Sequence, residues 1–304
     1  MSTAAMLFLA LALDALAGEP GWLWSRAPHP AVVMGRAVAW LERQLNRGAR
    51  RKARGCLALG LLGGGALAFG LIVQALPGGG VIGVVGGAVL LAQRSLVDHL
   101  RAVSDGLRLS LRAGRRAVAL VVGRDTQELS REGVARAAIE SGAENFSDGV
   151  IAPAFWFLLF GLPGMLVYKA VNTADSMIGY RTPRHESFGW AAARLDDALN
   201  WVPARLSAAL IALAHLRPDA WAVIRRDAPL HRSPNAGWPE AAMAVCLGVS
   251  LAGPRSYEGR RRDFPWVFAE GRRSAGADDI DRCIGALWRG WTLSLAATAI
   301  LALV

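Results

Sequence analysis

Residues 142–176 read GAENFSDGVIAPAFWFLLFGLPGMLVYKAVNTADS, and the fold of the chain turns on how they are read. No side chain from Val150 to Tyr168 is charged, and that run approaches the roughly 20 residues an α-helix needs to cross hydrocarbon. Gly161-Leu162-Pro163-Gly164 interrupts it midway. Proline removes a backbone donor and glycine relaxes the turn, so two geometries are open. A single kinked span places Glu144 and Asp148 on one side of a membrane and Asp175 and Arg181 on the other. A run broken into two half-helices returns Asn172 to the side where Asp148 began, and broken helices aim polar groups into cavities. The broken, re-entrant geometry is the expectation carried forward, with the kinked span as its alternative.

The whole chain supports a membrane reading. Its 304 residues are 53% hydrophobic, with 11 Trp, and the mean hydropathy is +0.31. That is too apolar for an ordinary soluble domain. Apolar runs lie at 4–17, 56–76, 81–92, 150–168, 206–216, 241–252 and 284–304, and only 56–76, 150–168 and 284–304 have near-spanning length. The expectation is an all-α, polytopic bundle of four to six membrane-embedded helices, with broken or re-entrant segments and cytoplasmic amphipathic helices. It forms a single integral membrane domain over 1–304, with a polar cytoplasmic insertion at about 94–149. The first 18 residues resemble a signal peptide, but they lack a positive n-region and Asp14 breaks the core, so a retained first span is expected.

The formal charge of +10 is carried by arginine, since Lys52 and Lys169 are the only lysines. Arg43, Arg47, Arg50, Arg51, Lys52 and Arg54 crowd the loop before the second apolar run, as cytoplasmic loops do. No base-stacking platform or recognition helix accompanies them, which argues against nucleic acid. Cys56, Cys246 and Cys283 form no CxxC pair and read as core residues. No Gly-Lys dipeptide occurs, so a Walker A loop is excluded.

Along the chain, the glycine-rich runs on either side of Pro77-Gly78-Gly79-Gly80 predict a tight helical hairpin. Leu96, Leu100, Val103, Leu107 and Leu111 predict an amphipathic helix. A short β-prone run is expected at 117–122. Asp125 with Glu128 has capping-box spacing, for a helix ending at Gly142. Asp278 and Asp279 open the last span, to Val304, after an Arg-rich loop placed inside. Spanning both 206–216 and 241–252 would strand Arg225, Arg226 and Arg232 outside, so at least one is expected to be interfacial or re-entrant.

Candidate site residues cluster in three stretches. Lys169, Asn172 and Ser176 share one helical stripe, with Thr173 beside it, a pattern suited to clamping an anion or phosphate. Asp175, near that face, suits Mg²⁺. The bland alternative is a lysine that snorkels. Residues 180–210 carry Arg181, Arg184, His185 and Glu186, then Asp196, Asp197, Asn200 and Arg205. Charges at membrane depth cost about 2.5–3.5 kcal/mol each, so they need partners, substrate or water; a structural pair such as Asp197 with Arg205 is the alternative. Residues 230–243 pack His231, Arg232, Ser233 and Asn235 between prolines, or simply cap a helix there.

GRDTQELS (123–130), ENFSDGVIAPAFW (144–156), YKAVNTADSMIGYR (168–181), FGWAAARLDDALNWVPARL (188–206) and HRSPNAGWPEAAM (231–243) together resemble the cobalamin-biosynthesis family CobD/CbiB. The family is that of adenosylcobinamide-phosphate synthase. LDALAGEP and PHPAVVMGRAVAWLE, within 13–42, are similar too, with Glu19 where the family more often shows Asp. The resemblance implies a multi-pass inner-membrane ligase of vitamin B12 synthesis, with its active site facing the cytoplasm. It implies amide formation between a propionate of adenosylcobyric acid and (R)-1-amino-2-propanol or its O-phosphate, using ATP and Mg²⁺. Membrane lipid and other membrane-bound late-pathway enzymes are the further partners implied.

Under the resemblance, Lys169, Arg124 and Arg181 hold phosphates, and Asp148, Asp175 and Asp197 carry Mg²⁺. His185 or His231 acts as base, with Lys169 and Asp175 completing the catalytic set. Asn145, Asn172, Asn200 and Asn235 bind the corrin amides or the aminopropanol, and Trp156, Trp190 and Trp201 pack on the macrocycle. Asp125, Glu144, Ser176, Asp196, Arg205, Arg232 and Ser233 complete the binding set. A transporter of an anionic small molecule or corrinoid, and a scaffold subunit of a membrane complex, are the rival readings.

Overall fold

A computed structural model describes residues 1–123, 125–257 and 260–304, and the side chains of all of these except 255–257 and 260–262. The fold is an all-α membrane bundle. Among the described residues four helices are long and apolar enough to cross a membrane: Arg51–Ala75, Gly79–Leu109, Arg131–Ile178 and Ala277–Leu303. Thr3–Ala17 and Trp201–Ala214 are apolar but shorter. The packing divides into two compact units, one of Met1–Ala92, Asp148–Asn200 and Ala297–Val304, the other of Gln93–Ser147 and Trp201–Ala296.

In the first unit, Thr3–Ala17 is capped by the Ser2 hydroxyl and packs on Gly79–Leu90, where Gly87 lets the backbone approach Ala10. Arg51–Ala75 and Gly79–Leu90 form the expected hairpin. The link turns at Gly78 (φ 79°), and a side chain at Gly79 would strike the carbonyls of Val73 and Gln74. The first of these helices starts inside the arginine run, at Arg51 rather than 56. It exposes Leu57, Leu61, Phe69 and Ile72, an apolar face that suits lipid and not water.

The opening stretch settles in favour of the broken geometry. Arg131–Phe146 passes through a π-helical turn, Ser147–Ile151, into Ala152–Ile178, and that helix breaks at Gly161 (φ 65°, ψ −158°). Only glycine adopts this conformation without strain. The Tyr168 hydroxyl lies 3.0 Å from the Asp148 carbonyl, although the two residues are 20 apart in sequence. On one straight helix they would stand about 30 Å apart. The limbs touch again where Gly164 leaves no room for a Cβ beside the Trp156 carbonyl. A kinked single span is therefore ruled out.

The hairpin is deep. Its tip packs Pro163 against Gly70 and sets Gly161 beside Gln74, while Gly55 of the same neighbouring helix packs on the Phe188 backbone. Gly55 and Gly70 are roughly 22 Å apart along that helix, so the returning limb runs most of its length. A core of Val38, Leu41, Ala58, Ala174, Ile178, Phe188 and Ala192 closes the Phe188 end.

The second unit is built from Gln93–Leu109, Leu111–Val118, Arg131–Phe146, Trp201–Ala214, Ala220–Asp227, Gly237–Leu247 and most of Ala277–Leu303. The expected amphipathic helix is present, with Leu96, Leu100, Val103 and Leu107 buried. Other local expectations fail. Residues 117–122 complete a helix and a turn and make no strand. Asp125 caps no helix; its carboxylate accepts the Gln127 N–H in a turn. The helix starts at Arg131, capped by Ser130, and runs through Gly142, which packs on Leu100 and Cys283. A serine one turn further on outcompetes the Asp125 box because its hydroxyl reaches the Gly133 N–H. The loop before the last helix holds two antiparallel ladders, Leu251–Ala252 with Trp266–Val267 and Arg255–Tyr257 with Arg260–Arg262. At 14 and 11 residues, Trp201–Ala214 and Gly237–Leu247 are too short to span unaided.

Candidate functional site

In the first unit, motif residues from three stretches meet in one buried polar network. Asp196, on Trp190–Leu199, is its hub. One carboxylate oxygen accepts from the Asn172 side-chain amide at 3.2 Å, and the other accepts from the Asn200 amide at 3.0 Å. The Asn200 carbonyl oxygen lies 2.9 Å from the Tyr168 hydroxyl, whose other neighbour is the Asp148 backbone carbonyl. Asp196, Asn200 and Tyr168 are buried, while Asn172 is half-buried. Burial raises the Asp196 carboxyl to about 6, against the two amide hydrogen bonds that lower it.

Lys169 follows Tyr168 and is half-buried, within electrostatic reach of the carboxylates of Asp148 and Glu19. It does not simply snorkel. Asp197, next to the hub, pairs with Arg194 at 3.7 Å and feels Arg181; burial raises its carboxyl and both guanidinium groups lower it. Asp175 is half-buried with its carboxylate folded against Gly179 at the helix end. The expected single stripe divides here: Lys169 and Asn172 turn inward and Ser176 is exposed. Arg181 is exposed as well.

His185 sits on a loop strapped to two helix ends. Its Nε2 lies 3.0 Å from Glu42 Oε1, and Arg184 Nε donates to the same oxygen at 2.7 Å. Burial raises the Glu42 carboxyl, but the Arg184 and His185 hydrogen bonds outweigh it and hold the group below its ordinary 4.5. Arg51 donates to the Pro183 carbonyl and Asn46 to that of Arg184. An open cleft of about 570 Å³, lined by Arg50, Arg51, Lys52 and Ser187 among others, lies at this same end.

The second unit gathers the remaining motif. Arg205 donates to Asn235 Oδ1 at 2.9 Å and to the Trp201 carbonyl at 2.8 Å, and its guanidinium lies 4.5 Å from the ring centres of both Trp201 and Trp238. The Ser233 hydroxyl accepts from the N–H groups of Asn235 and Ala236, just before Gly237–Leu247. The Ser233 N–H donates to His231 Nδ1, which leaves Nε2 to carry the proton towards Glu240, 3.7 Å away and buried. Asn145 is exposed and donates to Ser141, Glu144 and Arg232 are exposed, and Asp125 lies in its turn. Arg124 lies outside the described residues.

Sequence reasoning gave no role to Tyr168, Glu19 or Glu42. All three stand in the quoted motifs, and Glu42 closes an otherwise apolar helix face, which was the available signal. Among the described residues no three His, Cys, Asp or Glu side chains are grouped to hold a metal.

Fold and site together define a helical membrane protein with a carboxylate–amide–lysine cluster at the base of a broken-helix hairpin. A family model described as CobD/Cbib protein matches residues 7–287. The chain belongs to that family. It is 48% identical over 316 residues to cobalamin biosynthesis protein CobD of Sinorhizobium fredii, covering 98% of this chain and 96% of that one. It is 49% identical over 315 residues to the protein of the same name from Rhizobium meliloti, with 98% and 96% covered. The Rhodobacter capsulatus protein is 48% identical over 274 residues, with 88% and 87% covered. No solved structure matches the chain. Its role is in cobalamin biosynthesis.

Proposed function

We propose that this chain is an adenosylcobinamide-phosphate synthase, joining aminopropanol or its O-phosphate to a propionate of adenosylcobyric acid as an ATP-dependent amide ligase. The observation that carries the reading is the convergence of Asp148, Lys169, Asn172, Asp196 and Asn200, drawn from three of the motifs that resemble the family, on one network.

A carboxylate does not acylate an amine at neutral pH because oxide is a poor leaving group; ATP supplies a better one when it phosphorylates the propionate. The protein then has three tasks. Lys169, with Arg181 and Arg124, neutralises phosphate charge. Asp148, helped by Asp175 and Asp197, would hold Mg²⁺. That ion uses one or two carboxylates with phosphate and water, so the donor set fits it without a three-carboxylate cage. A base takes the proton the amine loses on attack. His185 suits this better than His231, whose Nδ1 already accepts a backbone N–H.

The cationic end formed by Arg50, Arg51 and Lys52 supports a cytoplasmic location for the Phe188 end of the bundle, in a bacterial inner membrane. The test incubates the purified protein with adenosylcobyric acid, Mg²⁺-ATP and aminopropanol or its phosphate, and follows the corrin amide by mass spectrometry. Product that depends on all components is expected. Intact substrates after incubation would favour transport or scaffolding instead.

A further inference from the structure

The hydrogen bonds around Asp196 fix which atom of Asn172 is left to meet a ligand. Asp196 sits between the side-chain amides of Asn172 and Asn200. Its carboxylate, when ionised, offers no proton, so Asn200 turns its NH₂ to it and keeps Oδ1 beside the Tyr168 hydroxyl, which also reaches the Asp148 carbonyl. An ionised carboxylate only accepts, so Asn172 must likewise turn its NH₂ inward to the other Asp196 oxygen. The Asn172 carbonyl oxygen is left on the opposite edge of a half-buried side chain, and no described residue hydrogen-bonds to it.

We propose that Asn172 Oδ1 is the acceptor that binds the amino or ammonium group of the substrate, and that Asp196 is the positioning residue that sets its polarity. This rests on the ligase reading above. The spacing agrees with a bifunctional ligand. Lys169 and Asn172 stand three residues apart on one helix, so their Cβ atoms are about 5–6 Å apart. In a 1-amino-2-alkyl phosphate four bonds separate nitrogen from phosphorus, a span on the order of 5 Å. The donor end then meets Asn172 as the anionic end meets Lys169. A reversed amide would point two N–H bonds at an ammonium group and repel it.

The test pairs removal of the acceptor with a reciprocal swap in the full-length protein. Asn172→Leu removes the acceptor and keeps the side-chain volume; Asp196→Asn alone does not decide, because Tyr168 can accept from Asn200 while it donates to the Asp148 carbonyl, so the new amide can be set either way round. In the double variant Asn172→Asp/Asp196→Asn, the new carboxylate accepts the NH₂ of the new amide with one oxygen and turns the other outward, and every internal bond is kept.

Affinity for aminopropanol phosphate is read by calorimetric titration of the solubilised protein and by KM. Asn172→Leu is expected to weaken it by roughly 10- to 100-fold, the worth of a charge-assisted hydrogen bond. KM for Mg²⁺-ATP and for the corrinoid should stay within about twofold. The double variant should escape most of this loss. Unchanged amine affinity in Asn172→Leu, or a double variant no better than Asn172→Leu, overturns the proposal. If Asn172→Leu does not fold, the double variant decides alone, because near-native amine affinity is expected only if polarity is what matters. A wild-type protein that binds the amine but makes no amide sinks the ligase reading and leaves this one standing; one that binds no amine sinks this one.

Discussion

The Asp196 network and the Arg205 cluster are made from equally polar motifs, yet their bonding differs in kind. Arg205 is largely committed: three of its five N–H donors go to Asn235, Trp201 and Pro234, and indoles cover it at 4.5 Å on Trp201 and Trp238. The Asp196 network ends in an amide oxygen with no described partner and a half-buried lysine between carboxylates. A committed cluster holds a loop in shape, whereas one with an uncommitted edge receives something. The sharpest way to break this contrast is Lys169→Met. Under the proposed ligase chemistry, removing the amine assigned to neutralise phosphate charge should lower kcat by about 10²–10³-fold, measured as corrin amide formed per minute. A loss under threefold would place Lys169 among the merely structural residues.

The next largest effect tests the hairpin that brings the network together. Gly161 is held at φ 65°, ψ −158°, a conformation closed to residues with a Cβ. Gly161→Ala should cost about 1–3 kcal/mol, read as a lower thermal midpoint in detergent, with activity lost in proportion. Gly60 has nothing within 4 Å of where a Cβ would stand and lies on a regular helix, so Gly60→Ala is the matched control and should be neutral or mildly stabilising.

This hairpin was legible in sequence because chemistry and punctuation coincide there: Gly161 and Pro163 mark the turn, and charges flank the apolar run. Its depth was not. That depends on Gly70 and Gly55 admitting backbone from Pro163 and Phe188, contacts that no periodicity announces. The Asp125 box failed for a related reason. Spacing shows that a cap is possible, but not that Ser130, five residues on, makes the better one. The stripe of Lys169, Asn172 and Ser176 likewise predicts one shared role, but Asp196 from another helix accepts the Asn172 amide and Ser176 is exposed. Local pattern gave the elements; partners from distant sequence decided which polar atoms stayed available.

A third, smaller effect concerns Glu42, whose carboxylate is committed to Arg184 and His185 although it shares a unit with the Asp196 network. Arg184 and His185 hold the Glu42 carboxyl below its ordinary 4.5. A depressed acid contributes stability that is present above the unfolded-state value and is lost as pH falls through the folded one. Glu42→Gln should therefore lower the thermal midpoint at pH 7 and flatten its decline below pH 4.5. Parallel melting curves for the two proteins across that range would show that the pair contributes nothing to stability.

Arg205→Lys should have the smallest effect, and it bears on the other half of the comparison. A lysine keeps the charge but not the planar fork, so it cannot hold Asn235 and the Trp201 carbonyl together or lie flat between two indoles. The loss should be about 1–2 kcal/mol of stability, from one hydrogen bond and two cation–π contacts. If Arg205 only shapes its loop, KM for Mg²⁺-ATP and for the amine should not move, because the N–H edge that would bind phosphate is turned to Asn235, Trp201 and Pro234. A rise in the KM for ATP of tenfold or more, with stability intact, would show that Arg205 leaves the tryptophans to bind phosphate in the working enzyme. The two clusters would then differ in resting state and not in purpose.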